Sequence, residues 1–193
     1  MFRLKLPTDP RWVNIVEQNI EEILTDHAFC EQKAASTAIS LISHFPQQTE
    51  LVQAMIVLVK EEIEHFERVH NFIQKRGFKL GSERKDPYVH DLMQFIRKDG
   101  SKESKLMDRL LLAAMIEARS CERFKVLSEN INDKELADFY RELMKSEASH
   151  YAMFIKLAKN LCPNQNVDKR WAEFLEHEAT VIAQYGKKET IHG

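Results

Sequence analysis

Two glutamates stand alone, and each is followed about thirty residues later by a glutamate and a histidine one helical turn apart. Glu31 precedes Glu62-Ile63-Glu64-His65, and Glu117 precedes Glu147-Ala148-Ser149-His150. All four glutamates carry apolar residues three, four and seven positions away, the spacing that shares one face of an α-helix. Leu24, Ala28, Ala34, Ala35 and Ala38 surround Glu31, and Met55, Leu58, Val59, Phe66 and Val69 surround Glu62. Leu110, Ala113, Ala114, Cys121 and Phe124 do the same for Glu117, as do Tyr140, Leu143, Met144, Tyr151 and Phe154 for Glu147. Four carboxylates on core-facing stripes are costly to bury alone, so any fold must bring cations, protons or basic groups to them.

The rest of the chain reads as helices. Only five Gly and five Pro interrupt 193 residues rich in helix-tolerant types, which predicts an all-α chain. Thr8-Asp9-Pro10 resembles a helix start, and the first periodic stretch runs to about His44. Phe45 to Thr49 breaks the pattern, and a second stretch from Glu50 to Arg76 stops at Gly77. Residues 77 to 103 hold three glycines and a proline around a short amphipathic piece near Pro87 to Lys98, as expected of a long crossover. Further helices are expected over Lys105 to Glu129, Lys134 to Asn160 behind Asn132 or Asp133, and Asp168 to Tyr185, with a frayed tail from Gly186.

Height and direction then converge. Glu31 and Glu62 are about equally far from Gln47, and Glu117 and Glu147 are each 15 residues from Asn132, so each pair should lie side by side in an antiparallel hairpin. In Glu-x-x-His the two side chains sit about 60° apart around the helix and roughly one turn along it, close enough to bind one ion together. Two such pairs, with a lone glutamate from each of two other helices and a crossover after the second helix, form the ligand set of a two-metal carboxylate centre in a ferritin-like four-helix bundle. The expected metal ligands are therefore Glu31, Glu62, His65, Glu117, Glu147 and His150. The expected organisation is one ferritin-like domain over residues 1–193, with a core of about 10–160 and an additional C-terminal helix near 168–185. Oxygen and imidazole donors suit iron or manganese, and redox chemistry favours two iron ions cycling between Fe2+ and Fe3+, with manganese possible.

Other residues read more plainly. Glu67-Arg68-Val69-His70 repeats the spacing but lies about 140° round the helix from Glu62 and His65, as a solvated coincidence would. A metal-free alternative would pair the glutamates with Lys33 or Arg119. Cys30 and Cys121 read as small core residues, Tyr140 and Tyr151 as core aromatics, and His27, His44, His90 and His177 as structural or exposed. Three cysteines without finger spacing disfavour a disulfide framework and favour a reducing, cytoplasmic setting. No apolar run has the length of a signal or membrane segment.

The blocks around the lone glutamates, Cys30-Glu31-Gln32-Lys33-Ala34-Ala35-Ser36-Thr37-Ala38 and Ile116-Glu117-Ala118-Arg119-Ser120-Cys121-Glu122-Arg123-Phe124, resemble the bacterial tRNA hydroxylases. Glu61 to Phe66 and Ser146 to Tyr151 support the resemblance, which runs over roughly residues 24 to 155. It implies an enzyme: a non-haem di-iron monooxygenase that uses dioxygen to hydroxylate the isopentenyl side chain of a methylthio-isopentenyl adenosine beside the tRNA anticodon. All six expected ligands match the family's positions. Ser149 and Tyr151 depart from it, standing where the family usually has Arg and often Phe.

The resemblance also implies tRNA as substrate and an electron-donor protein or other reductant. With 28 Lys+Arg against 30 Asp+Glu the chain has no global attraction for a polyanion, so phosphate contacts must be local. Arg76, Lys79, Arg84 and Lys85 in the crossover are candidates, with Lys33, Arg119 and Arg123 nearer the centre. Two rivals stand beside this reading. One is a ferroxidase or iron-handling protein with no organic substrate, and the other is a metal-free helical interaction module.

Overall fold

A computed structural model describes residues 2–185 and 190–192. Among these residues every regular element is helical: α1 (Trp12–Gln18), α2 (Ile20–His44), α3 (Thr49–Lys75), α4 (Pro87–Met93), α5 (Lys102–Asn130), α6 (Lys134–Leu161) and α7 (Val167–Ile182). They fall into two compact units. The first hairpin unit comprises residues 14–85 with 190–191, and the second comprises 2–13, 86–185 and 192.

In the first unit α2 pairs with α3. The single helix expected from residue 10 to His44 is interrupted at Asn19, whose side-chain amide donates to the Ile15 carbonyl at 2.8 Å. The Asn19 backbone N–H then turns to Val16, so the ladder breaks where an asparagine competes for a carbonyl. Leu24, Ala28, Ala35, Ala38 and Leu41 of α2 and Leu51, Met55, Leu58, Val69 and Ile73 of α3 are buried. Each of the larger side chains contributes about 1.5–3 kcal/mol on leaving water. The α3 helix ends as the sequence predicts. Gly77 takes φ 73°, and the Phe78 amide reaches back to the Ile73 carbonyl at 3.1 Å.

The second unit is built on α5 and α6. Ser101 caps α5, Asp133 caps α6 and Asn166 caps α7, each side chain accepting a backbone N–H from three residues on. Nineteen residues of α5 are buried, including charged ones, because this helix also receives α7 and the N-terminal segment. Arg119 explains the attachment. Its guanidinium donates to Glu178 of α7 at 2.6 and 2.9 Å, to Glu122 at 3.0 Å and to the Leu6 carbonyl at 3.0 Å. Thr8, expected near a helix start, instead donates its N–H and hydroxyl to Glu122. A second ion-pair network joins Asp108 of α5 to Arg170 of α7 and to Arg97.

The frayed tail expected from Gly186 falls partly outside the described residues, and the part that is described is bound. Ile191 is buried and donates its N–H to Asp26 in the first unit at 2.7 Å. His192 is buried in the second unit, with Nδ1 2.7 Å from Asp86 and Nε2 3.0 Å from Ser120 Oγ.

Candidate metal centre

Each hairpin unit brings its lone glutamate to its own Glu-x-x-His. In the first unit Nδ1 of His65 lies 3.3 Å from Glu62 Oε2 and 3.7 Å from Glu31 Oε2. Donor atoms of Glu31, Glu62 and His65 lie within 4.8 Å of one another, and all three side chains are buried. In the second unit Nδ1 of His150 lies 3.9 Å from both Glu117 Oε2 and Glu147 Oε2, again among buried side chains.

These spacings fit an ion. Two donors each about 2.1 Å from one metal, at roughly 90–110° to each other, lie about 3.0–3.4 Å apart. His65 and Glu62 are at that spacing, Glu31 needs to close on His65 by about 0.3 Å, and the second triad needs to close by about half an ångström. The donor set is all oxygen and imidazole, which matches iron or manganese. The thiol one turn from Glu117 does not compete. Cys121 is buried, its Sγ faces the Met144 carbonyl at 2.9 Å, and burial pushes its thiol up to about 12.

Electrostatics support a site that holds positive charge. Burial alone would raise the Glu31 carboxyl, but hydrogen bonds from His27 and His65 outweigh it and hold the group well below the usual carboxylate range. Burial likewise pushes His65 down, yet Glu31 and Glu62 overcome this and raise the imidazole to about 9. In the metal-free chain, therefore, a proton on His65 occupies the place where a cation fits between two carboxylates.

The cations that a metal-free reading requires are engaged elsewhere. Lys33 bonds the Arg84 carbonyl at 2.8 Å and Glu83 at 3.3 Å, and Arg119 is committed to Glu122 and Glu178. Arg119 and Arg123 are also too buried to meet a phosphate backbone, which removes them from the candidate tRNA contacts. Arg123 stacks on Trp12 at 4.2 Å. Glu67 is exposed and His70 stacks on Phe66, as the decoy spacing predicts. Tyr140 packs on Phe124 and Phe139, while Tyr151 packs on Phe2 and Trp171.

His27 is fully buried and its Nε2 lies 2.6 Å from Glu31 Oε1, so it has a partner one turn along α2. The i,i+4 spacing was the available signal.

Among the described residues no helix is long and apolar enough to cross a membrane. A family model described as tRNA-(MS[2]IO[6]A)-hydroxylase (MiaE) matches residues 2–193. A tRNA 2-(methylsulfanyl)-N(6)-isopentenyladenosine(37) hydroxylase of Pseudomonas putida is 41% identical over 157 residues, covering 81% of this chain and 75% of that protein. The protein of the same name from Salmonella typhimurium is 27% identical over 98% of this chain and 87% of its own length. A solved structure, a Synechococcus protein with aldehyde deformylating oxygenase activity, aligns with TM-score 0.90 and 32% identity over 98% of this chain and 95% of that one. The fold class is accordingly all-α and ferritin-like, a four-helix bundle with a long crossover between the second and third core helices and an additional C-terminal helix. With the model matched from residue 2 to residue 193, the chain belongs to the tRNA-(MS[2]IO[6]A)-hydroxylase (MiaE) family.

Proposed function

We infer that the chain is a non-haem di-iron, oxygen-dependent hydroxylase of the isopentenyl side chain of a hypermodified adenosine next to the tRNA anticodon. The observation that carries the reading is the gathering, within each hairpin unit, of a lone glutamate and a Glu-x-x-His around one imidazole Nδ1, in a chain whose family model spans residues 2–193. We propose that Glu31, Glu62, His65, Glu117, Glu147 and His150 hold two iron ions, and that residues 1–193 work as one ferritin-like domain in the cytoplasm.

Bound iron supplies the redox chemistry by which dioxygen, with electrons from a donor protein or reductant, oxidises a carbon–hydrogen bond. The chain's own groups set the conditions. Four buried carboxylates balance the charge of the cations, and His65 must release its Nδ1 proton before that atom can bind. Ala28, Ala35 and Leu58 in one unit, with Ala114, Leu143 and Phe154 in the other, give each set of ligands buried apolar neighbours on its own helices. Such neighbours exclude water and suit a prenyl group. Candidate phosphate contacts are Lys79 and Lys85, which are exposed, with the part-buried Arg76 and Arg84 beside them.

The test incubates reduced, iron-loaded protein with dioxygen and unhydroxylated tRNA, followed by nucleoside mass analysis. One added oxygen atom on the modified adenosine is expected. Oxidation of many irons per chain with the nucleoside unchanged would assign a ferroxidase instead, and manganese-loaded protein with full turnover would displace iron.

A further inference from the structure

We propose that His27 is a positioning residue for Glu31, tying Oε1 by a hydrogen bond and reserving Oε2 for the metal. The inference rests on the six-residue reading above. Nε2 of His27 approaches Oε1 at 2.6 Å, and both side chains are buried. A carboxylate oxygen accepts, so the imidazole carries its proton on Nε2 and donates it to Oε1. The short distance is that of a charge-assisted bond. Oε2, the other oxygen, is the one turned to Nδ1 of His65 at 3.7 Å. Each oxygen of Glu31 thus has a separate task.

The geometry is set within one helix. His27 lies one turn before Glu31 on the same face of α2, so the backbone holds donor and acceptor in register. The corresponding place one turn before Glu117 on α5 is Ala113, which has no side-chain donor. The repeat that duplicates the ligands does not duplicate the histidine. An oriented carboxylate loses less freedom when it binds, and outer partners of this kind typically change metal affinity by about 10–100-fold. The ion held by Glu31, Glu62 and His65 should therefore bind more tightly with His27 in place than without it.

A purely space-filling role makes a different prediction. Phenylalanine fills the volume of the ring without donating, whereas glutamine places an amide N–H at the reach of Nε2. The experiment titrates metal-free, full-length wild type, His27→Phe, His27→Gln and Glu31→Ala anaerobically with Co2+ alone, reading stoichiometry and ligand-field absorption, and then with Fe2+. Circular dichroism checks that each variant is helical. Wild type should take up two ions. His27→Phe should weaken the binding of one of them by about 10–100-fold and alter its absorption band, leaving the other in place, while His27→Gln stays close to wild type. His27→Phe with wild-type affinities and spectrum, or His27→Gln as weak as His27→Phe, would overturn the positioning role while leaving the six-residue site standing. If Glu31→Ala still takes up two ions with wild-type affinity, the six-residue reading itself fails and the inference with it.

Discussion

The α2–α3 hairpin and the α5–α6 hairpin carry the same three ligand types at matching heights, but they are stiffened in opposite ways. In the first, the support of the lone glutamate is local. His27 bonds Glu31 within one helix, and the part-exposed Lys33 reaches only Glu83 and a backbone carbonyl. In the second, the support is tertiary. Arg119 and Arg170 are buried and fasten α7 to α5, and Arg119 also fastens the N-terminal segment. The imidazole of the first unit sits 3.3 and 3.7 Å from its carboxylates, against 3.9 Å twice in the second. A duplicated ligand pattern therefore does not imply a duplicated environment, because each helix also answers to the segments packed on its other faces.

The largest expected effects test what the hairpins share. Glu62→Ala or His65→Ala in the first unit, and Glu147→Ala or His150→Ala in the second, should each lower bound iron and cut tRNA hydroxylation by more than about 100-fold, beyond the range of outer partners. Iron analysis and nucleoside mass spectrometry read both quantities. Full activity after loss of a ligand from either hairpin would end the equivalence.

What differs between them is tested by charge removal. Arg119→Met leaves Glu178 and Glu122 in the core without their cation and should cost about 3–5 kcal/mol in urea unfolding. Lys33→Met, at a part-exposed pair, should cost about 0–1 kcal/mol. Equal losses would show that the two supports are not of different kinds.

Acid sharpens the same contrast. Burial raises the Asp108 carboxyl, but Arg97 and Arg170 outweigh it and leave the group below its ordinary 3.8. Between that value and the lower folded one, the unfolded chain binds more protons, so stability rises with pH. The contribution is present above about pH 3.8 and is lost as pH falls through the depressed value. Asp108→Asn should remove this part of the acid dependence, and an unchanged pH profile of unfolding would contradict it. The smallest effect belongs to the surface. Replacing Arg84 and Lys85 together should reduce the salt slope of tRNA binding by up to about 2 with iron still bound, and an unchanged slope would remove this patch from the interface.

Much of this is legible in the sequence. Glu31, Glu62, Glu117 and Glu147 announce themselves because a carboxylate on an apolar stripe contradicts its surroundings, and Gly77 and Asp133 mark helix ends by local chemistry alone. Thr8 misled because the residues that look like a cap are also good partners for a distant carboxylate, here Glu122. Asn19 was overlooked inside a periodic stretch, since apolar spacing continues across a break in hydrogen bonding. Arg119 and Arg123 look like possible tRNA contacts in the sequence because charge usually marks a surface, and nothing local says that a glutamate 59 residues away pairs with Arg119 in the core. The tie between His27 and Glu31 is legible as an i,i+4 spacing, but a histidine and a glutamate one turn apart are also common on solvated helix faces, and only burial distinguishes the two.

By itself the sequence determined which side chains can meet a metal, because helical periodicity and distance from a turn fix face and height without reference to the rest of the molecule. Only the tertiary structure decided which charges are buried, which oxygen of Glu31 meets His27 and which meets His65, and how α7 and the N-terminal segment are held. Those outcomes depend on atoms brought together from distant parts of the chain, and no local pattern carries that information.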